Sequence, residues 1–425
     1  MAFRFLHAAD LHLGAPFKGV RQTGSEAVNT ALERATYDAF DRLIETALER
    51  EVDLALFAGD IYNQEDQNLR ARLAFQRGME RLNDAGIPAY IIHGNHDPLR
   101  NAPLRLPENC HTFPTAPGGP LIARREGRPL ASIYGVSYER PAVRENLAAA
   151  YPAPSPEEEG LFRIALLHAN VGGQEGHDNY APCTLDDLRP RGFDYWALGH
   201  VHTRACLHEG DPWVVYSGSL QGLSPRETGD HGCFLIEVND AGEAASPEFV
   251  SLQAVRWFLR ELDIAPFRDL DALLDGAEAL LEAALQEAGG DCLVRLSLVG
   301  RGELHPQLRE AQRLDLEEEL RARFADRSPF CWLESLAVHS RRELSLDALR
   351  DGKGCVSSLL RRAEAIQQDE AALAKLRGAL TDLYAEPEVR ATRRRLPALS
   401  DEALREVLTE ATYKALDLLD PEASE

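Results

Sequence analysis

The sequence predicts an α/β fold, followed by a small α+β unit and a helical C-terminal region. Three observations carry this expectation. Strand-length apolar runs alternate with helical stretches from residue 3 to about 255, the pattern changes near Glu261, and beyond Gly354 only helical periodicity remains. The chain has 425 residues, enough for two or three domains. A content of 44% hydrophobic and 27% charged residues describes a globular protein and excludes a disordered one.

The apolar runs at 3–8, 52–58, 87–92, 131–136, 162–167, 195–198, 214–216 and 233–238 each have strand length. Between the first two, residues 25–50 repeat Leu32, Ala35, Ala39, Leu43 and Ala47 at helical spacing, and residues 69–82 do the same between the next two. Strands alternating with helices imply parallel pairing, and the later β-rich stretch implies a second sheet. From residue 259 the expected order is a strand (259–264), a helix with Leu274, Ala277, Leu281, Ala284 and Ala288 on one face, a strand (293–299), a helix (315–324) and a strand (332–339). Further on, Leu359, Ala363, Ile366, Leu373, Leu376, Leu380 and Leu383 mark helices. A last helix is capped by Ser400, carries Asp401 and Glu402 in its first turn, and aligns Leu404, Val407, Leu408, Ala411, Ala415 and Leu418. These stripes either dock a partner or pack on the rest of the chain. The expected division is therefore 1–258, 259–345 and 346–425.

With 46 basic against 69 acidic residues the formal net charge is −23, which opposes unaided attraction to any polyanion. A nucleic-acid substrate would have to be held through metal ions, a local basic patch or a partner protein. Seven scattered cysteines without a Cys-x-x-Cys pair argue against a disulfide framework and against a structural zinc site. No run approaches the ~20 apolar residues of a membrane helix. The opening MAFRFLHAADLHLG places Asp-x-His where a secretory signal would carry its apolar stretch, so a cytoplasmic protein is expected.

Five short segments each follow an apolar run: Asp10-Leu11-His12, Gly59-Asp60, Gly94-Asn95-His96-Asp97, His168 and Gly199-His200-Val201-His202. In open α/β sheets ligands gather at the carboxyl ends of strands, so segments distant in sequence can converge there. The set offers carboxylates, an amide oxygen and imidazoles with no thiolate, a mixture that suits Mn²⁺, Fe²⁺ or Zn²⁺ better than Mg²⁺. In a metal pair one group must bridge both ions, and Asp60 has the two oxygens for it. Asp10 and His12 can chelate one ion and Asn95 can serve the other, while His200 and His202 can be divided between them. Glycines 59, 94 and 199 are expected to let the backbone turn beside the cluster.

The order Asp-x-His, Gly-Asp, Gly-Asn-His-Asp, His, Gly-His-x-His resembles the signature of the calcineurin-like metallophosphoesterases. The opening from His7 to Gly14, the Tyr216-Ser-Gly-Ser219 segment and the unit after residue 260 further resemble DNA-repair exonucleases of the SbcD and YhaO type. The resemblance implies a two-sheet metallophosphoesterase sandwich flanked by helices, a small α+β capping domain and a helical tail. It implies a first metal on Asp10, His12, Asp60 and His202 and a second on Asp60, Asn95, His168 and His200, with Mn²⁺ as the usual activator. His96 matches the family's catalytic histidine, and Asp97 the carboxylate that orients it. Asn63 departs from the acidic residue or histidine that relatives often carry there, which argues against an extra acid/base or substrate role at that place.

The implied activity is metal-dependent hydrolysis of DNA phosphodiesters, exonucleolytic or endonucleolytic. The implied partners are DNA and an SMC-like coiled-coil ATPase of the SbcC/YhaN type, with a homodimer as a further possibility. A phosphodiesterase or phosphatase on small nucleotides or phosphoproteins shares the motif, and a non-catalytic scaffold would keep the fold without the reaction.

Other conspicuous residues carry plainer expectations. His7 reads as a packing or supporting residue, and His93 as structural and turned away from Asn95. His111, His208, His231, His305 and His339 read as ordinary core or surface residues, and Tyr195 and Trp196 as core. Tyr138, Glu139 and Arg140, the loop 176–180 and the arginine run 390–395 are open between a surface role and a contact with phosphate or an acidic partner.

Overall fold

Along the strand Leu54–Ala58, side chains alternate between two apolar surroundings, which puts this strand in the middle of a layered structure. Leu54, Leu56 and Ala58 join one core, and Ala55 and Phe57 join another. A strand covered on both faces reads as an unbroken apolar run, which is why it was legible. The computed structural model describes residues 2–20, 23–63, 69–99, 105–153, 155–174, 178–308, 310–325, 327–343, 346–351, 354–385 and 400–419.

The first sheet is 6-stranded. Its strands β1 (Phe3–Ala8), β2 (Leu54–Ala58), β3 (Ala89–Ile92) and β4 (Cys110–Thr112) run parallel. The second sheet, also 6-stranded, contains β5 (Leu121–Arg125), β6 (Arg128–Gly135), β7 (Phe162–His168), β8 (Tyr195–Gly199), β9 (Ala205–His208) and β10 (Trp213–Tyr216), with β6, β7, β8 and β10 parallel. Then β11 (Gly232–Val238) returns to pair antiparallel with β1, and β12 (Glu248–Ser251) closes that edge.

Between the sheets lies a core of Phe5, Leu56, Ile92, Ile133, Ile164, Leu166, Tyr195 and Val215. On the outer face of the first sheet pack α1 (Glu26–Glu49) and α2 (Leu69–Asp84), through Phe40, Leu43, Phe75 and Met79. Ser25 caps α1, its Oγ accepting from the Val28 amide. On the outer face of the second sheet, Tyr151 and Phe193 pack over the buried Trp196 of β8. This is the two-sheet sandwich flanked by helices that the resemblance implied.

The strands missing from the sequence reading, β4, β5, β9 and β12, are the edges of the two sheets. They are short and half-exposed, so no continuous apolar run marks them.

After the sandwich, β13 (Val255–Asp263), β14 (Asp291–Val299) and a strand at Cys331–Val338 form a parallel 3-stranded sheet, starting earlier than the run at 259 suggested. Helices Leu270–Ala288 and Glu310–Phe324 connect its strands, the first capped by Asp269 and closed by Gly289 at φ 61°. Val255, Trp257 and Leu293 of this sheet share a core with Ala35 of α1, so residues 1–300 and 307–340 form one compact unit.

Residues 301–306 and 341–425 form a second unit, built on helices Cys355–Gln368, Glu370–Ala385 and Asp401–Leu419. Ser400 Oγ accepts from the Ala403 amide as expected. The expected stripe on the last helix divides: Leu404 is buried, while Val407 is 46% and Leu418 81% exposed. The arginine run 390–395 lies outside the described residues. Among the described residues no helix is long and apolar enough to cross a membrane.

His7 sits between the sheets, fully buried, its Nδ1 3.0 Å from the Tyr195 hydroxyl. Burial pushes its pKa from 6.5 down to about 3. The neutral ring is therefore favoured in the fold, and its stabilisation is complete above pH 6.5 and lost as pH falls towards 3. Between pH 7 and 5 this amounts to about 2 kcal/mol. We expect His7→Gln to remove that part of the acid loss in urea unfolding at the two pH values; an unchanged pH dependence would show that the ring is protonated in the folded chain.

Candidate metal centre

The five segments lie at the carboxyl ends of β1, β2, β3, β7 and β8, where the two sheets meet. The ladder between β1 and β2 continues past the strands through Asp10 N to Gly59 O (3.0 Å), His12 N to Asp60 O (3.1 Å) and Leu13 N to Ile61 O (2.9 Å). To keep these bonds while turning side chains inward, Asp10, His12, Asp60 and His200 adopt positive φ of 51°, 42°, 52° and 100°. Such conformations cost non-glycine residues of order 1–3 kcal/mol each and concentrate at functional sites.

The glycines act mostly by making room. Only Gly59, at φ 94°, needs its left-handed conformation. A Cβ on Gly94 would collide with Asp60 Oδ1 and lie 2.7 Å from His168 Nε2, and one on Gly199 would collide with the Ala58 carbonyl. The expectation that all three serve turning is corrected for Gly94, whose missing Cβ leaves room for Asp60 and His168, and for Gly199, whose missing Cβ leaves room for the Ala58 carbonyl.

Seven predicted residues come together here. His168 Nε2 lies 3.0 Å from Asn95 Oδ1 and 3.4 Å from Asp60 Oδ2. His200 Nδ1 lies 3.2 Å from the same Asn95 oxygen, and its backbone amide donates to both Asp10 carboxylate oxygens at 3.0 and 3.1 Å. His12 Nε2 is 3.1 Å from His202 Nε2 and 3.9 Å from Asp60 Oδ2. Asp10, His12 and His202 form one group able to hold a cation, and Asp10, Asp60 and His168 another, with donor atoms within 4.8 Å of one another in each.

The opposite nitrogen of each ring faces an oxygen that can only accept. His12 Nδ1 donates to Asn63 Oδ1 (2.9 Å), His168 Nδ1 to Ala58 O (2.9 Å), His200 Nε2 to Asp178 O (2.7 Å) and His202 Nδ1 to Glu227 Oε1 (2.8 Å). In the neutral rings the nitrogens turned inward therefore carry lone pairs. Two lone pairs 3.1 Å apart, and two more aimed at one amide oxygen, repel unless a cation sits among them. The donor set thus fits divalent metal ions: buried carboxylates, imidazoles with assigned tautomers and an amide oxygen.

The titration of these groups points the same way. Burial raises the Asp10 carboxyl to about 6, and burial together with the His202 charge lowers His12 to about 4. Burial disfavours a charged His168, but the Asp60 carboxylate outweighs it and raises the ring to about 9, while Asp60, despite its burial, is held well below its ordinary value by His168. Glu227 reaches about 2, because the His202 hydrogen bond and charge outweigh its burial. The carboxylates thus demand positive charge at this spot, as a proton or a metal ion.

His96 is exposed at the edge of the cluster, its ring centroid 5.0 Å from that of His12 and its amide donating to Asp60 Oδ1 at 2.9 Å. Asp97 differs from expectation. It is fully buried, and its carboxylate accepts from the Ile61 amide (3.0 Å), the Gly94 amide (2.7 Å) and His93 Nδ1 (3.1 Å). It therefore holds the turn and the His93 ring, and its hydrogen bonds do not go to His96.

Three residues support the centre in ways that residue type does not reveal. Glu227 carried no local signal. Asn63 was noticed only as a departure, yet it fixes His12. Tyr138 is buried, its hydroxyl donating to the His168 carbonyl at 2.7 Å, while Arg140 is on the surface paired with Glu145. Of the loop 176–180, residues 176 and 177 lie outside the described residues, and Tyr180 lies against His200 with ring centroids 5.8 Å apart.

Residues 3–204 match the family model of calcineurin-like phosphoesterases, and residues 257–341 match that of the metallophosphoesterase YhaO middle domain. The chain is 36% identical over 350 residues to the uncharacterised metallophosphoesterase YhaO of Bacillus subtilis (strain 168), covering 81% of this chain and 84% of that one. The chain belongs to the calcineurin-like metallophosphoesterases. Within that family it is also similar to DNA double-strand break repair proteins named Mre11. The one from Sulfurisphaera tokodaii is 30% identical over 231 residues, 53% of this chain and 55% of that protein. The one from Halobacterium salinarum is 25% identical over 305 residues, 71% of each. Membership of this metallophosphoesterase family implies metal-dependent hydrolysis of phosphoesters.

The glycine argument is directly testable. Gly94→Ala is expected to cost about 1–3 kcal/mol in urea unfolding through overpacking, whereas Gly118→Ala, whose added Cβ meets nothing within 4 Å, is expected to leave stability within about 0.5 kcal/mol. Equal stability of the two variants would refute crowding at Gly94.

Proposed function

We propose that this metallophosphoesterase hydrolyses phosphodiester bonds in DNA with two divalent cations, most fittingly Mn²⁺, as an exonuclease or endonuclease in DNA repair. The observation that carries the reading is the convergence of four imidazole nitrogens, each ring backed by an oxygen on its opposite nitrogen, around Asp10, Asp60 and Asn95. In this reading Asp10, His12, Asp60 and His202 hold the first ion, and Asp60, Asn95, His168 and His200 hold the second. A cation pair so held supplies the Lewis acidity and the acidified water that phosphoester hydrolysis needs.

The chain's own residues do the rest. Asp60 would serve both positions, and the Asp97 carboxylate holds the turn that presents Asn95 and His96. His96 is exposed at the rim of the cluster, where it can approach a substrate and act as a general acid toward the leaving oxygen. DNA as substrate is supported by the repair proteins among the relatives.

Residues 259–345 would cap the site, and the helices of 346–425 would dock an SMC-like coiled-coil ATPase, with a homodimer as the assembly. The net charge of −23 supports a dependent mode of DNA binding. A cytoplasmic setting accompanies this reading.

The test compares linear duplexes labelled at the 3′ or 5′ end with bis-p-nitrophenyl phosphate, each with Mn²⁺ and with chelator. Chelator-sensitive cleavage of DNA is expected, and His96→Ala should lower turnover roughly 10²–10⁴-fold while Mn²⁺ binding persists. Turnover of the small ester alone would sink the DNA reading. DNA affinity should rise when the ATPase is added; tight, metal-independent binding by the isolated chain would oppose the partner.

A further inference from the structure

His202 is held from two sides by one segment of chain, the loop between β10 and β11. Its Nδ1 donates to Glu227 Oε1 at 2.8 Å, and its carbonyl accepts from the Ser219 amide at 3.0 Å. The second oxygen of Glu227 accepts from the Leu223 amide at 2.6 Å. The Glu227 carbonyl lies 3.2 Å from His231 Nε2, and His231 Nδ1 lies 2.9 Å from Ser219 Oγ. Contacts thus run in a closed ring from His202 through Glu227, His231 and Ser219 back to His202.

The ring is braced elsewhere. The side-chain oxygen of Gln221 accepts from the amides of Ala254 (2.9 Å) and Val255 (3.1 Å), and its Nε2 donates to the Val255 carbonyl at 2.6 Å. The His231 carbonyl accepts from the Leu252 amide at 2.8 Å. Gly222 leaves space for the Glu227 carbonyl and His231, since a Cβ there would lie 2.5 Å from that oxygen and 3.0 Å from His231 Nε2.

We propose that Glu227 is a positioning residue of the metal centre, holding His202 in the rotamer and tautomer that turn a bare Nε2 toward His12 and a shared cation. The proposal rests on the metal-pair reading above. Among the four rings, His168 and His200 are oriented by backbone carbonyls and His12 by an amide oxygen, whereas His202 is oriented by a carboxylate. A carboxylate partner fixes the orientation and also makes the imidazole a stronger donor to a metal ion. Glu227 touches the His202 ring itself, and a side-chain substitution can remove that contact without touching a ligand.

The experiment titrates Mn²⁺ into the full chain, followed by the electron paramagnetic resonance of free Mn²⁺, for the parent, Glu227→Ala and Glu227→Gln. Thermal unfolding of the metal-free chains accompanies it. The parent is expected to take up two ions. Glu227→Ala should weaken one of them roughly 10–100-fold, leave the other at parent affinity and keep the metal-free melting temperature. Glu227→Gln should recover part of the loss, since its oxygen accepts from Nδ1 but brings no charge and cannot also serve the Leu223 amide. Parent affinities at both positions in Glu227→Ala would overturn the proposal. So would equal weakening of both with a lowered metal-free melting temperature, which would make Glu227 merely structural. A parent chain that takes up no pair of ions would instead end the metal-pair reading itself.

Discussion

Two carboxylates, Asp10 and Asp60, are each 1% exposed and share their surroundings with four imidazoles. Burying that much negative charge is tolerable only when positive charge arrives with it. The left-handed residues, the glycines without room for a methyl group and the oxygen behind each ring are all arranged around this demand. The pair of sheets brings the charges together, and a hydrogen bond from His168 on the second sheet to the Ala58 carbonyl on the first ties them at that point.

The scaffold makes such an arrangement affordable. Strands β1, β2 and β3 on one side and β7 and β8 on the other are buried on both faces, and their registers are set by three apolar layers. Their carboxyl ends therefore arrive at defined heights, and the turns leaving them can hold strained backbone without drifting. The loop that carries Glu227 belongs to the same logic, because Gln221 anchors it to the start of β13. The small parallel sheet and the metal centre are thus joined through a few hydrogen bonds within one compact unit.

Legibility in the sequence followed burial. The central strands were visible as continuous apolar runs because both faces are covered, and α1 was visible because Ala35, Ala39, Leu43 and Ala47 face inward at helical spacing. The edge strands were not, since β4, β9 and β12 have few buried side chains to mark them. The inward-turned donors were visible because each follows a strand end. Their supports were not: Ala58 and Asp178 act through backbone oxygens, which leave no trace in residue type, and Glu227 is one of many acidic residues. Asp97 misled because adjacency to His96 in sequence is not contact, its oxygens being taken by the backbone of residues 61 and 94 and by His93.

By itself the sequence determined which residues could act as donors and on which strand ends they sit, because strand periodicity and residue chemistry are local properties. Which nitrogen of each histidine faces inward, which glycine is needed for space rather than for turning, and which distant carboxylate supports His202 were decided only in the tertiary structure. Those choices depend on atoms contributed by segments far apart in the chain, and hydrogen-bond geometry among them exists only once the two sheets have closed on each other.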